Sequence, residues 1–232
     1  MNTMPSQSKW SESIWGSGSH SCECQEQRHH PRLIVLTGGP SAGKTAVLEM
    51  ILKTFCSHVT IIPEAASIIF GGGFFRRDSL PARKGAQRAI FKVQRELEQI
   101  VLEEKKAAVA ICDRGTVDGL AYWPESEETY WAENGTTGEK ELSRYEAVIH
   151  LRTPDLARGY NHDNPVRIES ANEAMAIDQK LLSAWVSHPH RHLIESQDDF
   201  FTKARLAMEA VRTYLPTCCQ NAKLNAKSGG KS

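Results

Sequence analysis

Residues 38–45 read Gly-Gly-Pro-Ser-Ala-Gly-Lys-Thr, which is a complete G-x-x-x-x-G-K-[ST] phosphate-binding loop. An apolar, strand-like run at 32–37 precedes this loop, and a helix-like run at 46–52 follows it. A strand before the loop and a helix after it form the structural context that the motif requires. The stretch therefore predicts an α/β protein that binds the phosphate groups of a nucleotide.

Each residue type in this loop has a mechanical role. Gly38 and Gly43 allow backbone angles and a close approach that a side chain would block. We expect Lys44 to reach the β- and γ-phosphates of ATP or GTP, and Thr45 to offer its hydroxyl to Mg²⁺. Backbone N–H groups and the start of the following helix complete the cradle. The expected nucleotide-binding residues are Gly38, Gly39, Pro40, Ser41, Ala42, Gly43, Lys44 and Thr45.

The composition argues against several classes of protein. The chain has 232 residues, enough for one well-packed domain with tails, and its 28 Lys and Arg balance 28 Asp and Glu. A net charge of zero provides no basic field for nucleic acid or an anionic membrane. No apolar run reaches the roughly 18 residues that span a bilayer, and the first 30 residues lack the apolar centre of a signal peptide. We expect a cytoplasmic protein with no transmembrane segment and no nucleic-acid partner.

The order of apolar segments predicts one α/β domain between two tails. Residues 1–30 are rich in Ser, Gly, His and Gln, so we expect a disordered tail there and another over 217–232. Over 31–216, apolar strands alternate with helical patterns, which is typical of a parallel sheet covered on both faces. The predicted strands are 32–37, 58–63, 107–112, 146–151 and 192–195. The predicted helices are 44–55, 64–70, 83–105, 116–123, 139–145, 171–187 and 199–214.

The cysteines give only weak evidence for a metal site. Cys22 and Cys24 lie near three histidines, which suggests a metal, but their spacing matches no structural zinc pattern. A disordered tail is the reading that we favour for them. Cys56 and Cys112 lie in apolar segments, where a cysteine packs as a small hydrophobic residue. Cys218 and Cys219 are adjacent in the polar C-terminal tail.

Polar residues follow the predicted strands at the end of the sheet where such folds bind their ligand. Asp113 closes the third strand, so we expect it to hold Mg²⁺ together with Thr45, although it would alternatively cap a helix that starts at Thr116. Arg114 stands where motor ATPases place a catalytic glutamate, and the guanine-reading pattern N-K-x-D is absent from the sequence. Both observations favour a small-molecule kinase over a hydrolytic motor or a small GTPase.

Three motifs together resemble the NadR-like AAA domain family of P-loop NTPases: GGPSAGKT at 38–45, PEAAS at 63–67 and ICDRGTVDGLAYW at 111–123. This family is related to the ribosylnicotinamide kinase domain and to nucleoside kinases, and it is similar to an animal translocation-defect protein reported to bind GTP. The resemblance runs from residue 32 to near residue 215, and its most specific part is D-R-G-x-x-D-x-x-A-Y at 113–122. It implies a three-layer P-loop NTPase fold of the kinase group, whose five-stranded parallel sheet has the order 2-3-1-4-5.

The comparison with nucleoside kinases implies roles for individual residues. Glu64 is similar to a glutamate near the acceptor hydroxyl, so it is expected to act as a general base, unless its charge only stabilises the helix at 64–70. Arg114 would grip the transferring phosphoryl group, unless it pairs with a carboxylate on a neighbouring helix. Gln94 would read the acceptor base, unless it lies on a solvated helix face.

Two loops are expected to complete the site. The segment 152–170 follows the fourth strand, where such kinases carry the lid. Its candidates for contact with donor phosphates are Arg152, Arg158 and Arg167, of which Arg167 is favoured for its place before a helix. The loop 71–77 carries two phenylalanines and two arginines after a glycine run, and it either closes over an aromatic or anionic substrate or forms a surface turn.

The predicted function is that of an Mg²⁺-requiring phosphotransferase, which uses ATP or GTP and acts on an unidentified small molecule of nucleoside type. Its expected catalytic residues are Lys44, Glu64, Asp113 and Arg114. The main alternative is a regulatory nucleotide switch that hydrolyses its nucleotide slowly. A third possibility, a structural interaction module, applies only if Lys44 is buried or unable to contact a phosphate group. A kinase needs Glu64, Gln94 and the loop 71–77 to line one pocket opposite the phosphates, whereas a switch does not.

Overall fold

A five-stranded parallel sheet runs through the centre of the described chain. The computed structural model describes residues 16–19, 22, 24, 28–154, 165–196 and 199–220, without the side chains of 165–171 and 218. The strands are β1 (Arg32–Thr37), β2 (Val59–Ile62), β3 (Val109–Asp113), β4 (Ala147–Leu151) and β5 (Arg191–Ile194). Their order is β2-β3-β1-β4-β5, and every neighbouring pair is parallel. The predicted α/β fold and its strand order are confirmed.

Helices connect the strands and cover both faces of the sheet. They are α1 (Lys44–Thr54), α2 (Ala65–Gly71), α3 (Leu80–Glu104), a 3₁₀ helix (Thr116–Ala121), α4 (Glu127–Asn134), α5 (Gly138–Leu142), α6 (Pro165–Ala184), α7 (Phe200–Arg212) and α8 (Thr217–Gln220). Neither α4 nor α8 is among the predicted helices, and α8 lies in the segment assigned to the C-terminal tail.

Several predicted helices differ from the observed ones at their starts. Helix α3 starts at Leu80, before the predicted residue 83, because Pro81 fits the first turn, where a missing N–H is no loss. Helix α6 starts at Pro165 rather than at 171, for the same reason. The segment predicted as a helix at 116–123 is a 3₁₀ helix.

Two apolar cores lie on opposite faces of the sheet. Successive side chains of a strand point to opposite faces, so β1 contributes Ile34 and Leu36 to one core and Leu33 and Val35 to the other. The first core is completed by α1 and α7. The second is rich in large aromatic side chains, which include Phe91, Trp123, Tyr130, Trp131, Tyr145 and Trp185. Both faces of β1 are therefore buried, as its continuous apolar sequence predicts.

A short N-terminal segment lies along β2, which is an edge strand of the sheet. Ser17 forms an antiparallel bridge with Thr60. The backbone N–H of Gly18 donates to the carbonyl of Val59 at 2.8 Å, and that of Ile61 donates to the carbonyl of Gly16 at 3.2 Å. Part of the chain before residue 31 is thus held against the sheet.

Among the helices that the structure describes, none combines the length and the apolar character that crossing a bilayer requires.

Candidate functional site

The phosphate-binding loop joins the end of β1 to the start of α1 and depends on its glycines. Gly43, at φ 91°, adopts the left-handed conformation immediately before the helix. A Cβ on Gly38 would lie 2.1 Å from the carbonyl oxygen of Leu151 at the end of β4. The loop can therefore approach β4 only without a side chain at Gly38. This packing orients the start of α1, where unpaired backbone N–H groups favour anions.

Lys44 lies across this loop. Its Nζ donates to the carbonyl oxygens of Gly38 at 2.9 Å and Gly39 at 3.1 Å. Burial and the nearby charge of Arg114 lower the pKa of Lys44 to about 8, against the opposing effect of the carboxylates of Asp113 and Glu64. The ammonium group is thus held within the loop, close to the other three charged residues that the sequence singles out.

Asp113 ends β3 at the same level as the end of β1. Its register partner is Leu36, so the carboxylate stands beside the start of the phosphate loop. Burial, followed by repulsion from Glu64, raises the pKa of Asp113 to about 6. Its Oδ1 atom is buried and accepts no hydrogen bond from the described residues. Asp113 does not cap the 3₁₀ helix, because the capping position belongs to Gly115.

The oxygen atoms of Asp113 and Thr45 are of the kind that a magnesium ion binds. The buried Oδ1 of Asp113 accepts no hydrogen bond from the described residues, and Thr45 lies in the first turn of α1, where its side chain is exposed. Carboxylate and hydroxyl oxygens are ligands that Mg²⁺ accepts, usually alongside water and substrate phosphates. Thr45 and Asp113 are therefore the residues that would hold the ion.

Glu64 and Arg114 form an ion pair between the ends of β2 and β3. The Nε of Arg114 donates to Oε1 of Glu64 at 2.7 Å, while Oε2 accepts a hydrogen bond from the hydroxyl of Ser67. Burial favours the neutral acid, but Arg114 and Ser67 overcome it and hold the pKa of Glu64 below its usual value. Glu64 is therefore a carboxylate at neutral pH. It also occupies the capping position of α2, although its side chain makes no cap hydrogen bond.

Arg114 has an unusual backbone and one unused donor. Its φ of 74° is in the left-handed region, and its N–H donates to the carbonyl of Leu36 at 3.1 Å. The guanidinium lies 5.8 Å above the ring of Tyr122, and Nη1 is 3.6 Å from Oδ1 of Asp118. Burial disfavours its charge, but Tyr122, Asp118 and Glu64 together raise the pKa of Arg114. Nη1 is buried and donates no hydrogen bond to the described part of the chain.

A cleft of about 780 Å³ begins beside the phosphate loop at Pro40. It extends between α2, α3, the 3₁₀ helix and α6. Its lining brings together residues that the sequence suggested separately, and these are Glu64, Phe75, Arg76, Arg77, Gln94 and Arg114. Arg76 lies over the ring of Phe70 at 4.9 Å and Arg77 over that of Phe75 at 4.6 Å. The loop 71–77 therefore forms part of the cleft wall, although Phe75 is also largely exposed to solvent.

Gln94 lines this cleft from α3 and is buried, not solvated. Its Nε2 donates to Oε1 of Glu98 at 2.9 Å. Glu98 is fully buried, accepts a hydrogen bond from the hydroxyl of Tyr145 at 2.8 Å and pairs with Arg144. This buried network fixes the Gln94 amide at the cleft wall.

A family model described as an AAA domain, AAA_28, matches residues 33–203 of the chain. The chain belongs to this AAA domain family. No curated protein matches it in sequence.

Two solved structures of NadR protein show the same fold as this AAA domain at low sequence identity. NadR protein in complex with NR has a TM-score of 0.58 and 15% identity, over 81% of this chain and 52% of that chain. NadR protein in complex with NAD and AMP-PNP has a TM-score of 0.57 and 13% identity, over 85% of this chain and 52% of that chain. A further match is thymidylate kinase from Ehrlichia chaffeensis, with a TM-score of 0.48 and 14% identity, over 80% of this chain and 99% of that chain. The chain spans about half the length of the NadR chains, and its resemblance to them is confirmed for the fold.

Two buried aspartates of the AAA domain support the site without having been assigned a role from the sequence. Asp178 of α6 accepts hydrogen bonds from the backbone N–H of Gly39 and from Nε2 of His150, both at 2.9 Å. Asp118 accepts a hydrogen bond from the N–H of Gly115 at 2.8 Å and another from the hydroxyl of Thr37. Asp118 lies within the motif at 113–122, but nothing in sequence spacing connects Asp178 to the phosphate loop.

The three arginines that the sequence suggests for a lid are described only in part. Nε of Arg152 is 2.8 Å from Oδ2 of Asp178, with which it forms an ion pair. This pair draws the Arg152 side chain towards α6. Arg158 lies outside the described residues, and Arg167 belongs to α6 with a side chain that is likewise not described.

Proposed function

We propose that this AAA domain is an Mg²⁺-dependent phosphotransferase that moves the γ-phosphoryl group of ATP or GTP to a small molecule of nucleoside type. The observation that carries the proposal is the cleft of about 780 Å³ that starts at the phosphate loop. Its wall contains Glu64, Gln94 and the loop 71–77, the set that a kinase needs on its acceptor side. A pocket of this size suits a small organic ligand.

The proposed reaction uses the charged groups around the loop. An oxygen of the acceptor hydroxyl forms a bond to the γ-phosphorus, while the bond from that phosphorus to the β–γ bridging oxygen breaks. The departing nucleoside diphosphate keeps the bonding electrons, and the proton of the acceptor passes to the Glu64 carboxylate. Lys44 and the unused Nη1 of Arg114 stabilise the phosphate oxygens. Thr45 and Asp113 would hold Mg²⁺, whose charge, when it is bound, offsets that of the β- and γ-phosphates.

The ion pair of Glu64 is compatible with this role, although it also favours the alternative. A pKa below the usual value makes Glu64 a weak base. Phosphoryl transfer passes through a loose transition state, in which the acceptor proton leaves late and needs little base strength. Glu64 nevertheless already pairs with Arg114 when no substrate is bound. A regulatory nucleotide switch, in which Glu64 has no catalytic role, would also contain this ion pair. The switch is therefore the second candidate.

The chemistry of the cleft suggests which acceptors to test first. Phe75 and Tyr122 offer aromatic faces, and Arg76 and Arg77 offer positive charge. The similar NadR structures hold NR in one case and NAD with AMP-PNP in the other. Nucleosides and their derivatives are therefore the first class to test.

The test is a mass-spectrometric search for phosphorylated products from a nucleoside and metabolite mixture, followed by Glu64→Gln. We expect Glu64→Gln to leave nucleotide affinity nearly unchanged and to lower phosphoryl transfer by roughly 10²–10⁴-fold, the usual contribution of a positioned base. The matched control is Glu128→Gln, because Glu128 is an exposed acid in the first turn of α4. If Glu64 acts only through its helix, both variants will keep full activity.

Two results would contradict different parts of the proposal. Slow nucleotide hydrolysis without any phosphorylated acceptor would favour the switch. Full transfer activity in Glu64→Gln would remove Glu64 from the reaction but leave the kinase in place.

A further inference from the structure

Three cysteines and a histidine converge at one point away from the phosphate loop. They are Cys22 of the N-terminal segment, Cys56 and His58 of the turn between α1 and β2, and Cys219 of α8. One ligand atom from each residue lies within 4.8 Å of the corresponding atom of every other. Cys56 and Cys219 are buried, whereas Cys22 and His58 are half-buried. No disulfide joins the cysteines that the structure describes.

The fold brings these residues together from three distant parts of the sequence. The turn that holds Cys56 and His58 is closed by a hydrogen bond of 3.0 Å from the N–H of Val59 to the carbonyl of Cys56. The N-terminal segment is anchored nearby, because the N–H of Ser19 donates to the carbonyl of Leu52 at 2.9 Å. Cys219 belongs to a single helical turn after α7, where its N–H donates to the carbonyl of Pro216 at 2.8 Å.

The distances within this cluster match those of a tetrahedral metal site. Zinc bonds of about 2.3 Å to sulfur and about 2.05 Å to nitrogen place the two kinds of ligand about 3.5 Å apart in a regular tetrahedron. The distances from Nδ1 of His58 to the sulfur atoms are 3.2 Å for Cys22, 3.5 Å for Cys219 and 3.9 Å for Cys56. Three sulfurs therefore surround one nitrogen near the spacing that a shared ion would impose.

Hydrogen bonding alone does not account for this arrangement. An imidazole Nδ1 either donates one hydrogen or accepts one, so it cannot serve three sulfur atoms at once. Packing of cysteine as a small hydrophobic residue explains a buried Cys56 or Cys219. It does not explain why both sulfurs, together with that of Cys22, point to the same imidazole.

We propose that Cys22, Cys56, His58 and Cys219 bind one zinc ion in a closed, structural site. Three thiolates and one imidazole are a ligand set that structural zinc uses, and their binding would release the thiol protons. The ion would fasten the N-terminal segment and α8 to the start of β2. Because the phosphate loop lies at the opposite, carboxyl ends of the strands, this site is separate from the proposed phosphotransferase centre.

A second group of potential ligands, Cys24 and His29, lies next to the four proposed zinc ligands. Ligand atoms of Cys24 and His29 also lie within 4.8 Å of one from His58. The rings of His29 and His58 are 4.5 Å apart, and the Cys24 sulfur is 4.0 Å from Nε2 of His29. Cys24 is therefore close to the site without being one of its four ligands, which makes it a suitable control.

The test is the metal content of the full chain, purified under reducing conditions without a chelator. We expect about one zinc ion per chain by mass spectrometry, falling to near zero in Cys56→Ser and in Cys219→Ser, whereas Cys24→Ser keeps its zinc. Cobalt titration of the metal-free wild-type protein tests the site even if the cysteine variants do not fold. The expected result is the visible spectrum of tetrahedral cobalt with thiolate charge-transfer bands.

Specific outcomes would overturn the proposal. Wild type that is purified without zinc and gives no thiolate-to-cobalt band would exclude a metal at this cluster. If Cys24→Ser loses zinc as completely as Cys56→Ser does, the ligand set proposed here is wrong. Circular dichroism of each variant would show whether a loss of metal accompanies a loss of fold.

Discussion

Lys44 connects the sequence motif to a measurable property. Its ammonium contacts two carbonyl groups of the loop, and burial brings its pKa to about 8. These contacts are made within the loop and not with the apolar cores, so the side chain is dispensable for packing. Changes at Lys44 should therefore report on nucleotide binding and not on folding.

We predict that Lys44→Ala greatly weakens the binding of Mg²⁺-ATP and Mg²⁺-GTP and leaves the protein folded. The substitution removes the positive charge that would interact with the β- and γ-phosphates of the nucleotide. Titration calorimetry with both nucleotides measures the effect, and Lys53→Ala is the control because it removes an exposed lysine from the same helix. Unchanged affinity for both nucleotides would contradict the assignment of the phosphate loop.

The lowered pKa of Lys44 predicts that nucleotide binding takes up a proton above pH 8. Bound phosphates favour the charged amine and raise its pKa, so at a pH of about 9 a largely neutral Lys44 must be protonated on binding. Affinity should fall as the pH rises through 8, because binding then includes this protonation. Calorimetry in two buffers of different ionisation enthalpy measures the uptake. A binding enthalpy independent of the buffer in wild type would show that Lys44 is already charged.

We predict that Asp113→Asn chiefly removes the magnesium dependence of nucleotide binding and turnover. The amide keeps the shape of the side chain but lacks the charge that holds a hydrated cation. Titrations of nucleotide at graded Mg²⁺ concentrations provide the measurement, with Glu104→Gln as an exposed control. A variant with the magnesium response of wild type would leave Asp113 without a role in metal binding.

Candidate site residues that belong to a contiguous sequence motif could be identified from the sequence, whereas those that depend on contacts between distant residues could not. The phosphate loop is a contiguous motif, and Asp113 and Arg114 follow a strand that its apolar residues reveal. The buried state of Gln94 was not predictable, because it depends on Glu98 and on Tyr145, which lies on another part of the chain. Sequence periodicity indicates the face of a helix but not the polar partners that reach it.

At the scale of elements, α6 supports the phosphate loop from outside. Asp178 on this helix contacts Gly39 of the loop, His150 of β4 and Arg152 beyond it. Burial favours the neutral acid, but His150, Gly39 and Arg152 overcome it and lower the pKa of Asp178. The carboxylate therefore stabilises the folded protein above its usual pKa, and this contribution is lost as the pH falls through the lowered value.

We predict that Asp178→Asn destabilises the protein by about 1–3 kcal/mol at neutral pH and weakens nucleotide binding. The charge that holds Arg152 and orders Gly39 is lost, although the amide oxygen can still accept one hydrogen bond. Thermal melts measure the stability, and hydrogen exchange of the Gly39 amide measures the order of the loop. The control is Glu173→Gln, an exposed position on the same helix. Exchange at Gly39 as slow as in wild type would contradict a supporting role for Asp178.

The elements themselves were largely predictable, except where apolar periodicity is weak. All five strands were expected. Four of them are short, mostly buried apolar runs, whereas β5 (Arg191–Ile194) is largely exposed and only Ile194 is buried. Helix α4 was missed, although Ser126 before it, acids in its first turn and Gly135 after it are ordinary helix boundary signals. The 3₁₀ helix at 116–121 carries helical spacing, but its turn is tightened where Asp118 bonds back to Gly115.

The whole molecule has two chemically different ends. The carboxyl ends of the strands gather charged residues around a phosphate loop, whereas the amino end of β2 gathers thiols and imidazole. Strand order and the ligand end follow from the resemblance and from general rules for parallel sheets. The cysteine cluster could not be predicted, since Cys22 and Cys219 are separated by nearly the whole chain and only Cys56 and His58 form a local pair.

The segment around Ser17 has a consequence for how the molecule behaves among its own copies. Strand β2 is at the border of the sheet, where free N–H and C=O groups invite pairing with another chain. The backbone of Gly16 and Gly18 occupies part of that border. A shortened chain beginning at residue 31 would keep every residue of the nucleotide site but uncover this edge. We expect such a chain to associate with its own copies in solution, so the segment around Ser17 bears on solubility as well as on the fold.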